Sequence, residues 1–447
     1  MAASPRTRNH GLETLLDQAG WSRTQFARAV NRTGAEAGLS LHYDQSAVSH
    51  WLAGTMPKPQ VRPIVVEVLS RRLRRPVTHH EAGFPTAPTP AGSDRGDNVE
   101  QLLDMGRADM DPSRRSVLSA GMYSAALAVP LFMDLIGRTE AAAAARTSRI
   151  GPGEVSTVRA MTEKVADILD ELGGGHARPM AAAFLVNTVG PYLRAAATEA
   201  VRKDMLSAAS DLVYLTGWMA MYERDHGLGQ TYYLRALELA GAADDHVTYC
   251  RTLRGMSLQA SHLRHGAKAL ELADAAAEAS PNAGPRLKAF LAGQQAHAAS
   301  MTGDQRKAFT KLRETETALS KADSRREAIG GYDAAAYQFH VAHVLYETGD
   351  LAGSIKAMQH SLRVQPKQEQ QGRLHSYAVM AQRQIEHGHV EEACESWNRF
   401  LDYYSVLSTS RGDEHFATMT RRVRPYRSTR AVARLQERAR EVAALKA

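Results

Sequence analysis

The sequence predicts an all-α protein: a small N-terminal domain of short helices followed by a long stack of helix hairpins. Three observations predict it. Aromatic residues make up only 6% of the 447 residues while alanine recurs throughout, and no alternating run rich in valine and isoleucine stands out, a composition that favours helix over strand. Apolar residues recur at helical spacing between glycine and proline stops. The second half repeats itself with the period of a helix hairpin. The length allows two or three domains with real cores. Having only two cysteines, Cys250 and Cys394, excludes a disulfide framework and predicts a reducing, cytoplasmic setting.

Charge is unevenly placed. The net charge is +7, with +6 in residues 1–80 and +7 in residues 421–447, which leaves −6 for the middle. Basic ends on an acidic body are what a polyanion-binding head on a scaffold would show. The first residues lack the apolar core of a signal peptide. A run from Ser113-Arg114-Arg115 to Ile136 has the composition of a twin-arginine export signal, but such signals act from the N-terminus. Gly121, Pro130 and Asp134 interrupt it as a membrane span. No membrane role is expected, and residues 113–150 are expected to form a helical connection.

In residues 8–78, Leu12, Leu15, Leu16 and Ala19 share one helical face that stops at Gly20. Ser22 offers an N-cap to a helix from Arg23 to about Val30, with Phe26, Ala27 and Val30 inward. Asp44 is the N-cap of a third helix with Val48, Trp51 and Leu52 as its buried stripe, stopped by Gly54. Pro57, Pro59 and Pro63 lead into a fourth helix carrying Ile64, Val65, Val68 and Leu69 and ending in Arg71-Arg72-Leu73-Arg74-Arg75.

This order, with the string Ser46-Ala47-Val48-Ser49-His50-Trp51-Leu52-Ala53-Gly54 and prolines behind it, resembles the phage-repressor (XRE-type) helix-turn-helix family. The resemblance implies binding to double-stranded DNA with the third helix in the major groove. It places Gln45, Ser46 and Ser49 where side chains reach base edges, and His50, Lys58 and Arg62 near phosphates. Arg23 falls where the family usually has a phosphate-contacting glutamine. The sequence departs from the family at Asn31–Tyr43, thirteen residues where a few are usual. These form either a loop reaching DNA, through Arg32, or a spacer that shifts the recognition helix. A basic face on four helices also occurs as plain solvated surface, and the arginine run alone carries little.

Residues 79–112 hold Pro85, Pro88 and Pro90 and read as a flexible linker, with a short helix at Asn98–Met105. In residues 151–420, glycines at 229, 266, 303, 349 and 388 separate apolar helical stretches at steps of 37, 37, 46 and 39. Thr302-Gly303-Asp304 is followed by Ala308, Thr348-Gly349-Asp350 by Ser354, and His387-Gly388-His389 by Ala393. Leu312, Leu362 and Phe400 lie farther on as groove-filling residues. The pattern resembles the tetratricopeptide repeat (TPR) family and implies an α-solenoid with a concave binding surface. In that family the first helix of each pair lines the concavity, which nominates Tyr214 and Trp218, Arg251 and Arg254, Gln294 and Gln295, Tyr337 and His340, and His375 and Tyr377. Such amides, guanidiniums and aromatics suit the clamping of an extended peptide, although any one of them alone is more commonly a packing residue.

Nucleophile elbows, phosphate-binding Gly-Lys-Ser/Thr loops, His-Glu-x-x-His and paired CxxC motifs are absent from the sequence, so no enzyme, cofactor or metal is expected. His262 with His265 and His340 with His343 have ligand spacing without a third partner and read as ordinary helix-surface histidines. Asp170 to Gly175 reads as a helix end followed by a flexible turn. Residues 421–447 form a basic helix with Val432, Leu435 and Val442 on its other face, expected to cap the solenoid. The whole resembles actinobacterial helix-turn-helix regulators with repeat tails and peptide-responsive quorum-sensing regulators. The resemblance implies a homodimeric transcription regulator whose repeat domain binds a peptide or small-molecule signal. The alternative is a TPR interaction scaffold with a vestigial or non-DNA-binding head.

Overall fold

The computed structural model describes residues 8–36, 39–73, 75, 77–84, 98–110, 123–127, 129, 132, 149–279, 283–322 and 332–446. Pro85, Pro88 and Pro90 of the expected linker and most of the expected connection 113–150 lie outside these residues. Among the described residues the fold is all-α with no strand, only one isolated bridge between Arg149 and Ala196. The chain divides into two compact units, residues 1–130 with 226–230 and residues 131–225 with 231–447.

The first unit opens with α1 (His10–Ala19), whose Asn9 cap accepts from the Leu12 amide and whose chain turns left-handed at Gly20. Next come α2 (Arg23–Glu36), α3 (Gln45–Leu52) and α4 (Arg62–Leu73), with α5 (Asn98–Met110) farther on. The apolar stripes read from the sequence converge: Leu12, Leu16, Phe26, Val30, Val48, Trp51, Val65 and Leu69 share one core, joined by Val77, Ala82 and Phe84. Each such side chain contributes about 1.5–3 kcal/mol on leaving water. Trp51 is held edge-on by Phe26 at 6.5 Å and Tyr43 at 4.9 Å.

The Asn31–Tyr43 segment differs from the expected loop. Helix α2 continues to Glu36 because Thr33 and Gly34 bury the next turn of the same face. The Asn31 side chain donates to the Tyr43 carbonyl and accepts from the Tyr43 amide, each at 2.8 Å. The extra residues therefore lengthen α2, and a side-chain clamp sets the start of α3.

The second unit begins with α6 (Pro152–Leu172), then α7 (Gly174–Phe184), which passes through a π-helical turn at Leu185–Val189 into α8 (Gly190–Arg194). Six hairpins follow among the described residues: α9 (Glu199–Tyr222) with α10 (His226–Ala243), α11 (His246–His262) with α12 (Gly266–Glu278), α13 (Pro285–Met301) with α14 (Gln305–Leu319), α15 (Ala334–Glu347) with α16 (Leu351–Val364), α17 (Gln370–Glu386) with α18 (Val390–Tyr404), and α19 (Ser410–Val423) with α20 (Arg430–Lys446). This is a TPR-like α-solenoid. Ala308, Ser354 and Ala393 are fully buried, and Leu312, Leu362 and Phe400 fill the grooves they were expected to fill.

The glycine alignment needs correcting in its first half. The left-handed turn residue inside the hairpins is Arg224, then Arg264, Gly303, Gly349 and Gly388. Gly229 lies within α10 and Gly266 is the first residue of α12. The true steps are thus 40, 39, 46 and 39. Two arginines accept the strain that glycine removes elsewhere. Helix α20 lays Val432, Leu435 and Val442 into the core of Trp397, Phe400 and Leu401.

Candidate nucleic-acid interface and repeat inner face

Helices α2 and α3 bring several of the nominated DNA-facing residues together. Asp44 accepts from the Ala47 amide at 2.9 Å and fixes the start of α3. One turn on, Ser49 Oγ donates to the Gln45 carbonyl, and Arg23 reaches across from α2 to donate to Ser49 Oγ at 3.1 Å. Thr24 donates to Gln45 Oε1 at 3.2 Å. Arg23, Gln45, Ser49 and neighbouring Ser46 thus form one polar patch at the head of α3, with Gln45, Ser46 and Arg23 exposed and Ser49 half-buried. His50, in the last turn of α3, and Lys58, before the short 3-10 turn, are exposed.

Arg62 differs from its nomination: half-buried, it donates from Nε to the Pro57 carbonyl at 3.0 Å and shapes the exit from α3. Arg32 sits on helix α2 rather than on a loop, exposed and one turn beyond Arg28. Arg28 was not singled out, although its i,i+4 spacing to Arg32 was visible in the sequence. None of Arg23, Arg28, Arg32 and Lys58 pairs with a carboxylate among the described residues.

The described arginines of the most conspicuous basic run are occupied within the head instead. Arg71 binds Glu36 at 2.5 Å and Glu67 at 2.7 Å, Arg72 donates to the Ala19 carbonyl at 2.8 Å over the Trp21 ring, and Arg75 binds Glu81 at 2.9 Å. Among the described residues of the head, the exposed arginines and lysines bonded to neither a carboxylate nor a carbonyl are Arg23, Arg28 and Arg32 on α2 and Lys58 after α3.

The repeat inner face is not the open lining expected. Arg251, Arg254, Gln294, Gln295, His340 and His375 are all buried, while Tyr214, Trp218, Tyr337 and Tyr377 are half-buried. The reason is twofold. The nominated groups bond between helices: Gln294 donates to Ser257 at 3.0 Å, Gln295 to Asp274 at 2.7 Å, Arg251 to Asp211 at 2.6 Å, and His340 contacts the Tyr332 hydroxyl at 2.7 Å. The first helices also close on themselves, because α6 touches both α9 and α17.

The segment before α19 completes the closure. The Ser408 amide donates to the Leu172 carbonyl at 2.8 Å, the Gly175 amide donates to Ser408 at 3.0 Å, and Ser410 donates to Glu223 through both its amide and its hydroxyl. The glycine run at 173–175 is consequently a packed joint, not a flexible turn. A Cβ on Gly173, whose φ is +90°, would meet the Ser408 carbonyl oxygen at 2.3 Å.

Burial dominates the electrostatics of this interior. It pushes His297 down to about 4 and His415 to about 3, and holds His340, His343 and His375 well below the ordinary imidazole range. It also lowers Arg383 to about 10. Neutral rings are what the desolvated site favours. Among the described residues no group of three or more His, Cys, Asp or Glu side chains is arranged to hold a metal ion. The histidines expected on the helix surface are drawn inward: His340 is buried against the Tyr332 hydroxyl, and His262 contacts Arg411. No helix among the described residues is long and apolar enough to cross a membrane. A cleft of about 660 Å³ lies among α12, α13 and α14, lined by Ala277, Pro285, Leu291, Gln295 and Lys311.

Residues 12–85 match the family model of the SP15 N-terminal domain. No curated protein matches the chain. Among solved structures, a Rap protein complexed with competence and sporulation factor is 13% identical with a TM-score of 0.37, covering 65% of this chain and 99% of that one. The yeast Tom70 is 13% identical with a TM-score of 0.33, covering 96% of this chain and 87% of that one. Both likenesses are distant.

Proposed function

We propose that the protein is a DNA-binding regulator of the XRE type, with α3 of its head entering the major groove and its TPR-like solenoid acting as the dimerising, signal-binding half. The observation that carries this reading is the patch of exposed Arg23, Gln45 and Ser46 with half-buried Ser49 on α3 and the start of α2, flanked by Arg28, Arg32 and Lys58 without carboxylate partners. Amide and hydroxyl side chains are the groups that read base edges, and unpaired cations around them are the groups that displace counterions from phosphates. In this reading Arg23, Arg28, Arg32, His50 and Lys58 set the register on the backbone, and Gln45, Ser46 and Ser49 discriminate sequence. Arg62 acts indirectly by holding the chain after α3.

Selection of a random duplex pool on the full-length protein, followed by titration of the winning sequence at several salt concentrations, tests it. The four cations Arg23, Arg28, Arg32 and Lys58 at phosphates give a log–log salt slope of about −3.6 per head. Equal, weak retention of every duplex contradicts it.

A second reading is an interaction scaffold. The six stacked hairpins, an architecture that serves to present surfaces to partner proteins or peptides, make up most of the described chain and favour it. Here the head would be a docking module. Capture of a partner by the full chain with no sequence preference for DNA supports this second reading over the first.

A further inference from the structure

Two hairpins of the solenoid share their geometry and differ in what fills it. Counted from the left-handed turns at Gly303 and Gly388, α13 matches α17 and α14 matches α18, the paired helices being equal in length at 17 and 15 residues. At two facing positions the Gly388 hairpin carries Tyr377 and Tyr403, whose rings stack with centroids 6.1 Å apart. Arg373 covers both rings, at 5.7 and 5.8 Å, and donates to the Tyr403 hydroxyl at 2.8 Å. The Gly303 hairpin has Ala292 and Ala318 at those two positions, and Lys288 at the position of the arginine. Among the five hairpins with a left-handed turn, it alone has alanine at both.

The absent rings leave a continuous space. The Gly388 hairpin has one hollow toward Asn398 and Asp402 and another toward Leu362 and Arg373, with Tyr377 on the wall of both. Around Ala292 the matching positions line a single cleft of about 660 Å³ that reaches from Ala277 past Lys288 to Arg313 and Lys321. A volume of that size suits a small organic ligand.

The charge of the groove is reversed as well. In the Gly388 hairpin, Asn398 and Asp402 receive Arg438 of α20. The Gly303 hairpin replaces these two with Arg313 and Thr317. Its cleft is lined by Lys288, Lys311, Arg313 and Lys321 against Glu314 alone, and Lys311 already engages Glu314 at 2.6 Å. Lys288, Arg313 and Lys321 are exposed and pair with no carboxylate among the described residues. An alanine-walled slot beside unpaired cations is complementary to a ring that carries a negative charge. The ring buries apolar surface and offers its face to an ammonium, and the acid group accepts from the remaining cations.

We infer that the cleft among α12, α13 and α14 is a binding site for a small aromatic acid. Its rings take the place, between Ala292 and Ala318, that Tyr377 and Tyr403 hold in the matching hairpin, with Lys288 over them as Arg373 lies over the tyrosines. Its acid group meets Arg313 and Lys321. As a signal for the head, such a ligand rests on the regulator reading of the chain; its binding does not, and is measured without DNA, so either can fail alone.

The test is fluorescence titration of the full-length protein with 1-anilinonaphthalene-8-sulfonate, an aromatic sulfonate, at constant ionic strength, with displacement by 2-naphthoate. The expected result is a saturable signal that 2-naphthoate displaces and uncharged 2-naphthamide does not. Ala292→Tyr/Ala318→Tyr, which restores the rings of the matching hairpin, should abolish that signal with Tm level or raised, because the rings fill open space. Lys288→Met/Arg313→Met, which removes two exposed cations, should weaken binding about tenfold. The head variant Arg23→Ala/Lys58→Ala should bind as the wild type does. Absence of a saturable signal, or a signal undiminished in either cleft variant, overturns the inference. If the tyrosine variant does not fold, the cation variant decides alone: weakening of about tenfold upholds the site, and equal binding overturns it. Displacement by a peptide of alternating aspartate and tyrosine but not by 2-naphthoate overturns the small acid in favour of a protein partner.

Discussion

At the residue scale, Trp51 ties helix α3 to its domain and is buried against Phe26 and Tyr43. Trp51→Ala is expected to cost about 3–5 kcal/mol, read as loss of cooperative unfolding of the head. Asp44→Ala removes the cap of α3 at about 1 kcal/mol. Gln45→Ala is expected to change the ranking among duplex sequences in a binding competition, whereas Arg23→Ala lowers affinity across all of them and reduces the salt slope by about one. The buried imidazoles give a separate expectation. Burial lowers His297 to about 4, so between the unfolded value near 6.5 and pH 4 the unfolded chain holds more protons than the folded one. Stability is then complete above about pH 6.5 and is lost as pH falls toward 4, by about 2 kcal/mol at pH 5 for this group. Urea unfolding at pH 7.5 and pH 5 checks it: His297→Gln should narrow the difference between the two.

At the scale of elements, much of the architecture was legible because it rests on local signals. Apolar stripes gave α1, α3 and α4. The Thr-Gly-Asp turns gave the later hairpins, since Asp304 and Asp350 cap the next helices as such turns require. What escaped had no local signature. Arg224 and Arg264 occupy left-handed turns that only the completed hairpin reveals, so the first two steps of the repeat were misplaced. Helix α2 runs past Val30 because Thr33 and Gly34 carry its buried face onward, and Asn31 clamps the Tyr43 backbone, a contact between residues twelve apart. The candidate site divides in the same way. The patch at the head of α3 was readable from spacing, but the burial of His375 depends on chain returning at Arg411 and His415. Gly173→Ala should disturb that return directly, with the added methyl driven into Ser408 and a left-handed backbone forced on alanine at about 1–3 kcal/mol. Hydrogen exchange at Ser408 and Gly175 is expected to accelerate while amides in α14 and α16 keep their protection.

At the scale of the whole molecule, the chain couples a small head with a polar, cation-flanked helix to a solenoid whose first helices enclose a charged interior. Charge is separated along the chain, basic at both ends and acidic between, and the proposed reading assigns the polyanion contact to the basic head. The C-terminal arginines are partly absorbed in packing, as Arg438 bonds Asn398 and Asp402, so the head is the stronger candidate for contact with nucleic acid. The measurement that tests this most directly is the affinity of the full-length protein for its best selected duplex and for a scrambled duplex, each across a salt series. The selected sequence should bind at least a thousandfold more tightly at physiological salt, and Gln45→Ala with Ser49→Ala should erase the difference without unfolding the head. Equal affinity for the two duplexes, or preference unchanged by those substitutions, contradicts the placement of α3 in a DNA groove.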